Sequence, residues 1–326
     1  MRRESSSPDD VILTLTPAES KELDAVAQYL TTLADAVDDR QWVARARTAW
    51  EELPARYRGR LREFRRDSGP QGVFVVRGLD VHEDELPSTP SVRGSAQRAP
   101  SIPAAVLLMT ACGLGDPAAF LAEKSGALVQ DVVPVPGQEE FQGNAGSVDL
   151  MMHNENAFHP HRPDFVMLLC LRPDHDRVAG LRTASIRQAL PLLSEQSRAG
   201  LARPDFTTQA PPSFGEADDQ GQQHAVLHGD LDDPDIKVDF AATNGETPAA
   251  RAALAELRDR IDEVAFTLRL ESGDLAIVDN HVSLHGRTAF RPRYDGRDRW
   301  LQRTFAFADL RRSRDHRPDD GYVLTR

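Results

Sequence analysis

Cysteine is scarce in this sequence of 326 residues, which contains two, Cys112 and Cys170. Both lie within apolar runs, where cysteine behaves as a small buried hydrophobic side chain. A disulfide framework is therefore excluded, and a reducing compartment is indicated. The sequence also has no apolar run long enough to cross a bilayer and no apolar leader near its first residue. We therefore expect a cytoplasmic protein without a membrane partner.

Basic residues are fewer than acidic residues in this chain. It has 39 Lys and Arg against 51 Asp and Glu, which gives a formal net charge of -12. Phosphate backbones and anionic lipids repel so acidic a surface, so neither nucleic acid nor an anionic membrane is expected as a general partner. A local basic pocket for a small anion is still compatible with that balance. Hydrophobic residues make up 40% of the chain and charged residues 28%, as in ordinary globular proteins.

Apolar periodicity predicts many short strands together with several helices. Thr16 as N-cap and Glu19 as its partner form a capping box at the start of the first helix. Further helices are predicted at 41–64 with a break at Pro54, and at 104–112, 117–121 and 248–264. Strands are predicted at 72–77, 126–135, 163–171, 180–183, 238–242, 267–270, 274–278 and 299–307.

This order of elements favours a mainly β fold with flanking helices around a double-stranded β-helix, or jelly roll. No shift in composition marks a linker, so we expect a single domain over residues 1–326. A polar, Pro-rich stretch at about 187–235 is predicted to be an insert in that domain. This insert and the long loop at 83–103 are both candidates for a lid.

His153 and Glu155 lie two positions apart, shortly before the apolar strand at 163–171. Residues two apart on an extended strand project to the same face, so the imidazole and the carboxylate can meet at one point. Such a pair also occurs by chance at a solvent-facing strand end, so a metal site needs a third ligand. His281 and His285 are the candidates, and we favour His285 because the glycine that follows it lets backbone approach a ligand. Two histidines and one carboxylate form the facial triad of non-haem Fe(II) oxygenases.

Two arginines follow in the strand at 299–307. Arg299 and Arg303 are four residues apart and share a face with Leu301 and Phe305. Arginines on the outside of a jelly roll are ordinary, but large apolar neighbours on the same face are not typical of a solvated surface. A guanidinium in apolar surroundings needs a planar anion such as a carboxylate. The pair therefore predicts binding of two carboxylates, one from a cosubstrate and one from a substrate.

These residues resemble the clavaminate synthase-like group of Fe(II)/2-oxoglutarate oxygenases. The wider resemblance covers nearly the whole chain and includes the stretches 107–116, 126–137, 153–159 and 294–305. It implies that His153, Glu155 and His285 bind Fe(II), leaving positions for 2-oxoglutarate and O₂. It also implies that Arg299 pairs with the far carboxylate of 2-oxoglutarate, with help from Thr183.

The same resemblance implies a free polar L-α-amino acid as substrate. Glu123 would receive its α-amino group and Arg303 its α-carboxylate, while Asn144 and Asp239 would face its side chain. An acceptor such as Asp239 suits a side chain with N–H groups and disfavours aspartate or glutamate through charge repulsion. The expected reaction is hydroxylation of L-asparagine at the β-carbon in nonribosomal peptide antibiotic biosynthesis. L-Citrulline, L-arginine and L-lysine are the alternative substrates.

The sequence is also compatible with functions of two other classes. A zinc hydrolase could use the same three ligands, although the arginine pair has no role in it. A jelly-roll protein that only binds its ligand is the other. Whether the amino acid is free or bound to a carrier protein is also open.

Overall fold

The structure is a computed structural model that describes residues 11–214 and 222–325. Within these residues the α-helices, numbered α1 to α7 along the chain, are Pro17–Thr31, Arg40–Trp50, Ala55–Arg66, Ile102–Leu114, Ile186–Ala189, Glu195–Leu201 and Pro248–Val264. The strands of the first half of the chain, β1 to β8, are Ile12–Thr14, Val73–Arg77, Asp116–Phe120, Gln130–Val132, Leu150–His153, Phe165–Arg172, Leu181–Ser185 and Phe206–Thr208. Those of the second half, β9 to β16, are Leu227–His228, Asp235–Ile236, Thr243–Gly245, Phe266–Leu268, Leu275–Asp279, Ser283–Arg287, Trp300–Phe307 and Val323–Leu324.

Local sequence signals set the limits of the N-terminal helices. The capping box at the start of α1 is present, with the Glu19 carboxylate accepting from the Thr16 amide at 2.8 Å. The predicted break at Pro54 is confirmed, because α2 ends at Trp50 and α3 starts at Ala55. Proline has no N–H to donate inside a helix, so the chain restarts there. Helix α7 spans Pro248–Val264, as the sequence predicts.

Two sheets form the core. The larger, mixed sheet has the strand order β1-β2-β13-β6-β15-β3-β16, with β4 also paired to β15. The smaller sheet has the order β12-β7-β14-β5 and is antiparallel. An apolar layer between them contains residues of both, such as Leu168 from the larger sheet and Leu181 from the smaller. This arrangement confirms the predicted jelly roll with flanking helices.

Strand β6 shows why the larger sheet is apolar on both sides. Met167 and Leu169 pack against helices α1 to α4 on its outer face. Val166 and Leu168 face the interior between the sheets. All eight residues of β6 are buried, which is typical of a central strand covered on both faces. Successive residues of β15 therefore also point alternately to the helices and to the interior.

Three predicted elements are wrong in type or extent. Residues 117–121 were expected to be a helix, but Asp116–Phe120 is a strand that pairs with β15 and β16. Pairing with partners far along the chain overrides local propensity there. The strand expected at 126–135 is confined to Gln130–Val132, because a left-handed turn precedes it. The strand expected at 238–242 is a turn followed by Thr243–Gly245.

The stretch at 187–235 contains the predicted helix near its start, in α5 and α6. With α7, it packs on the outer face of the smaller sheet around Leu201, Phe206 and Leu257. Residues 215–221 of this stretch lie outside the described residues. That the whole chain forms one domain with this insert stays a prediction.

Cys112 and Cys170 are free thiols, the first half-buried and the second buried. None of the helices within the described ranges is long and apolar enough to span a membrane.

Candidate active site

Strand register brings the predicted metal ligands together. His153 ends β5 and pairs directly with His285 on β14, and the two imidazole centroids are 4.4 Å apart. Glu155 follows β5 at once, and its Oε2 lies 3.6 Å from Nε2 of His285. One ligand atom from each of the three residues lies within 4.8 Å of the others. This is the arrangement that a first-row divalent metal requires of two imidazoles and a carboxylate.

The competing histidine, His281, lies elsewhere. Its Nε2 is 2.9 Å from a carboxylate oxygen of Asp164, and its Nδ1 is 3.4 Å from Asp235. His281 is therefore engaged in ion pairs away from the ligand group. The structure places His285, and not His281, beside His153 and Glu155.

A hydrogen bond fixes the orientation of the His153 ring. The Nδ1 of His153 contacts the Met151 carbonyl at 2.8 Å. With Nδ1 donating to that carbonyl, the lone pair of this ring is on Nε2, which is free to bind a metal.

Two buried asparagines support the loop of the ligands, and the sequence reasoning missed both. The Asn154 side chain donates to the carbonyls of Asn280 and Ser283 at 2.9 and 3.2 Å. Asn280 accepts from the Glu155 amide at 2.8 Å and donates to the Glu155 carbonyl at 3.0 Å. These bonds hold the backbone of Glu155 against the turn before β14. The available signal was that each asparagine directly adjoins a candidate histidine.

The protonation states suit metal binding near neutral pH. Although burial alone would raise the pKa of Glu155, the Arg303 guanidinium and the His285 imidazole hold it well below its usual range. Burial and the neighbouring His153 lower the pKa of His285. A deprotonated carboxylate and a neutral imidazole are the forms that bind a metal ion.

Arg303 connects the ligand group to the predicted substrate site. Its Nη1 lies 2.8 Å from Oε1 of Glu155, and its Nη2 lies 2.6 Å from Oε2 of Glu123. The other Glu123 oxygen accepts from the Asn156 side chain at 2.8 Å, and burial raises the pKa of Glu123 although Arg303 opposes this rise. Glu123 and Arg303 thus form a buried pair that a zwitterion can complement with its ammonium and its carboxylate.

Arg299 differs from Arg303 in having no acidic partner. It is buried, and within residues 11–214 and 222–325 its guanidinium takes part in no ion pair. The Phe290 ring lies 5.6 Å from the guanidinium carbon, and burial lowers the pKa of Arg299. A buried guanidinium without a counter-ion is a binding site for an anion. This is the property that the far carboxylate of 2-oxoglutarate requires.

Thr183 lies directly across from His285 in the pairing of β7 with β14. Its hydroxyl is buried and has no hydrogen-bond partner among the residues that the structure describes. Buried polar groups are normally satisfied, so this hydroxyl is available to a ligand. Its predicted help in binding 2-oxoglutarate stays a prediction.

A cavity of about 540 Å³ joins most of these groups, but Thr183 is not among the residues that line it. Its lining includes the three metal ligands, Arg299 and Arg303, and Glu123, Asn144 and Asp239. Asp239 stands next to His153 through an isolated backbone bridge between the two residues. One carboxylate oxygen of Asp239 accepts a hydrogen bond from the Ala241 amide at 2.8 Å. This bond stabilises the turn that the structure has in place of the expected strand at 238–242.

Arg287 is a further lining residue that the sequence reasoning left without a role. It donates to the carbonyls of Gly143 and Val148 at 3.4 and 3.0 Å. Burial and the nearby Arg299 lower the pKa of Arg287 to about 9. These bonds hold the segment that carries Asn144 against strand β14, which carries His285.

Comparisons with known proteins agree with this chemistry. Residues 70–305 match the family model described as taurine catabolism dioxygenase TauD, TfdA family. The chain is 59% identical over 313 residues to the L-asparagine oxygenase of Streptomyces coelicolor, covering 96% of this chain and 94% of that protein. It is 35% identical over 268 residues to clavaminate synthase 2 of Streptomyces clavuligerus, covering 81% and 82%.

Among solved structures, the chain is similar to asparagine oxygenase in complex with Fe(II), 2S,3S-3-hydroxyasparagine and succinate. The TM-score is 0.95 at 58% sequence identity, and the match covers 97% of this chain and 99% of that chain.

Proposed function

The chain belongs to the TauD/TfdA family of dioxygenases, and on this premise we propose that it hydroxylates free L-asparagine at the β-carbon. Fe(II) is its metal, and 2-oxoglutarate and O₂ are its cosubstrates. The reaction consumes L-asparagine, 2-oxoglutarate and O₂ and releases hydroxyasparagine, succinate and CO₂. The observation that supports this proposal most strongly is the shared cavity. It combines a two-histidine, one-carboxylate group with an unpaired arginine and a zwitterion-binding pair.

The residues present fit the metal and the cosubstrate. Two imidazoles and a carboxylate would hold Fe(II) on one face, as in non-haem oxygenases. The iron, with 2-oxoglutarate bound, supplies the oxidant for an unactivated C–H bond. Arg299 would pair with the far carboxylate of 2-oxoglutarate, since this guanidinium is buried without a counter-ion.

The substrate is positioned by the groups around Arg303. The substrate ammonium would lie at the Glu123 carboxylate, and its α-carboxylate at the side of the Arg303 guanidinium that lines the cavity. Because Arg303 also contacts Glu155, the α-carbon would be held near the metal ligands, and the C–H bonds of the adjacent β-carbon would lie within reach of the metal. Placement of that bond is the protein's main contribution to the reaction rate.

Selection among amino acids would come from Asn144 and Asp239. The Asp239 carboxylate can accept from the side-chain amide of asparagine and repels aspartate. It accepts equally well from citrulline, arginine or lysine, which therefore remain the alternative substrates. Donor chemistry alone does not fix the length of the side chain.

A free amino acid is proposed rather than a carrier-bound one. A carrier-bound amino acid is a thioester, so it lacks the anionic α-carboxylate that would complement Arg303. Hydroxyasparagine made in this way would serve nonribosomal peptide antibiotic biosynthesis. The cytoplasmic location predicted from the sequence accords with a free amino acid as substrate.

Succinate formation tests this function directly. The protein with Fe(II) and 2-oxoglutarate is incubated with each of the twenty amino acids, citrulline, ornithine and homoarginine, and product masses are read in parallel. We expect succinate and a gain of one oxygen with L-asparagine. A gain with citrulline, arginine or lysine instead would keep the mechanism and change the substrate. Amino-acid turnover with Zn²⁺ in the absence of 2-oxoglutarate would replace the proposal with a hydrolase.

A further inference from the structure

A second group of metal-ligating side chains lies outside the cavity. His161 belongs to the loop between β5 and β6, and Asp315 and His316 end the 3₁₀ helix Leu310–His316. One ligand atom from each of these three residues lies within 4.8 Å of the others. We propose that His161, Asp315 and His316 bind a divalent transition-metal ion, with Zn²⁺ as the representative ion.

The geometry repeats that of the iron ligands in the same molecule. The imidazole centroids of His161 and His316 are 4.7 Å apart with an interplanar angle of 62°. The corresponding values for His153 and His285 are 4.4 Å and 44°. Two imidazole nitrogens and one carboxylate oxygen form a donor set that binds zinc, with water in the remaining position.

Hydrogen bonding within the group does not explain its geometry. The Nε2 of His316 lies 3.6 Å from the Asp315 carboxylate, which is too far for a hydrogen bond. The Nδ1 of His316 is buried and has no hydrogen-bond partner within the part of the chain that the structure describes. The imidazole of His316 therefore has free capacity to bind an ion.

A group of similar composition elsewhere is explained by its own bonds. The Nε2 of His175 lies 3.0 Å from the Asp295 carboxylate, and Asp298 accepts from the Arg293 amide at 2.6 Å. The Nδ1 of His175 is buried without a hydrogen-bond partner among the described residues, as is that of His316, but the bond of its Nε2 to Asp295 already accounts for the contact between these side chains. His175 therefore provides a matched control for His316.

The proposed site is held in place by hydrogen bonds of its backbone. The His316 carbonyl accepts from the Thr325 amide at 2.9 Å, and the His161 amide donates to the His159 ring at 2.9 Å. Burial and the adjacent His316 lower the pKa of His161, which favours the neutral form that ligates metal. A fixed backbone reduces the cost of assembling the site.

A bound ion would join the C-terminal segment to the wall of the active-site cavity. The His159 ring packs 4.8 Å from that of Phe120, and Phe158 lines the cavity. Zinc at His161 would thus tie residues 310–325 to the loop that leads from the iron ligands to β6. Because binding to the folded state alone stabilises it, we expect zinc to raise the melting temperature.

The zinc stoichiometry of the protein tests the site. It is measured on metal-free protein without an affinity tag, by equilibrium dialysis and elemental analysis. Zinc also binds the iron ligands, so the wild type is expected to bind two ions per chain. The variant with His153→Ala and His285→Ala should bind one, and adding His316→Ala should reduce this to none. Adding His175→Ala instead to the variant that lacks His153 and His285 should leave this one ion bound. Loss of the remaining ion through His175→Ala, or its retention after His316→Ala, would overturn the proposal.

A second variant keeps the site testable if the His316→Ala protein does not fold. Asp315 has a side chain that is 74% exposed, so Asp315→Asn should fold normally and weaken zinc binding at least tenfold in the background lacking His153 and His285. In that background zinc should raise the melting temperature, and His316→Ala should abolish the rise. An unchanged affinity in Asp315→Asn would contradict the assigned ligand set. None of these readouts depends on which amino acid is the substrate, so the site and the proposed function fail separately.

Discussion

Arg303 holds one oxygen of the Glu155 carboxylate at 2.8 Å, and the other oxygen lies 3.6 Å from His285. Oε1 of the carboxylate thus pairs with a guanidinium, and Oε2 is the oxygen available to the metal. The second arm of Arg303 binds Glu123. The metal site and the amino-acid site therefore share one cation.

Replacing Arg303 with glutamine should destabilise the metal-free protein. The change leaves two buried carboxylates without their cation, and breaking a buried pair in this way costs about 3 to 5 kcal/mol. Urea unfolding measures the difference. Arg182→Gln is the control, because the pair of Arg182 with Asp262 at 3.2 Å is much more exposed to solvent, and its loss should cost less than about 1 kcal/mol. Equal effects of the two substitutions would show that Arg303 does not have the electrostatic role assigned to it.

Substitution of His285 and of His281 should have different effects on metal binding. His285→Ala and His153→Ala are expected to abolish retention of Fe(II) and with it succinate formation. His281→Ala should keep both, since His281 contacts Asp164 and Asp235 outside the cavity. Iron content after gel filtration is the measurement. If His281→Ala lost iron while His285→Ala kept it, the ligand assignment would be wrong.

Arg299→Gln should weaken binding of 2-oxoglutarate. A hydrogen bond to a charged group contributes about 1.5 to 3 kcal/mol, so KM for 2-oxoglutarate should rise roughly 10- to 100-fold. KM for the amino acid should change much less. Steady-state kinetics with each substrate varied in turn measures both constants. Arg291→Gln, at an exposed position, is the matched control and should leave both constants unchanged. A rise confined to the amino acid would place the cosubstrate elsewhere.

Asp239→Asn should alter the choice of amino acid. Without the carboxylate, the repulsion of aspartate is removed and one acceptor for the asparagine amide is weakened. We expect kcat/KM for L-asparagine to fall and the ratio of aspartate to asparagine turnover to rise. Competition between the two amino acids, followed by product mass, reports the ratio. A change in 2-oxoglutarate affinity alone would remove Asp239 from the substrate site.

The ion pairs of His281 predict a pH-dependent stability. Burial opposes the charged imidazole, and so does the Arg162 guanidinium, whose Nη2 lies 2.9 Å from Nδ1 of His281. The carboxylates of Asp164 and Asp235 nevertheless raise the pKa of His281 above its usual 6.5. Its contribution to stability is therefore fully present below about pH 6.5 and is lost as the pH rises through the folded-state pKa. Despite burial, His281 lowers the pKa values of Asp164 and Asp235. Their contribution is lost in the opposite direction, as the pH falls below about 4.

The stability lost in His281→Gln should thus be largest between about pH 4 and 6.5 and should shrink towards pH 9. Urea unfolding at a series of pH values measures this loss. His228→Gln provides the contrast, because burial lowers the pKa of His228, so that substitution should become less destabilising as the pH falls. A loss in His281→Gln that grows with rising pH would mean that His281 is not held as a cation.

Local patterns predicted the parts of the fold that depend on neighbouring residues. The capping box at Thr16 and the helix Pro248–Val264 follow from residues a few positions apart. The alternation in the strand predicted at 299–307 placed Arg299 and Arg303 on one face, and both line the cavity. In each case the signal and the structure that it specifies lie within one element.

What the sequence did not reveal depends on distant partners. Asp116–Phe120 is a strand because β15 and β16 lie beside it, although its local composition favours a helix. Asp239 stands next to His153 through a single bridge across a turn, which no periodicity marks. Asn280 reaches Glu155 only after the two sheets have assembled. Such contacts are determined by tertiary packing, and the spacing of residues along the chain does not predict them.

Isotope labelling of the product tests the central claim most directly. The iron-loaded protein is incubated with L-asparagine and 2-oxoglutarate under ¹⁸O₂ in ordinary water, and both products are analysed by mass spectrometry. The account predicts one ¹⁸O atom in hydroxyasparagine at the β-carbon and one in succinate. Hydroxyasparagine that carries oxygen only from water, or succinate formed at the same rate without any change in asparagine, would contradict it.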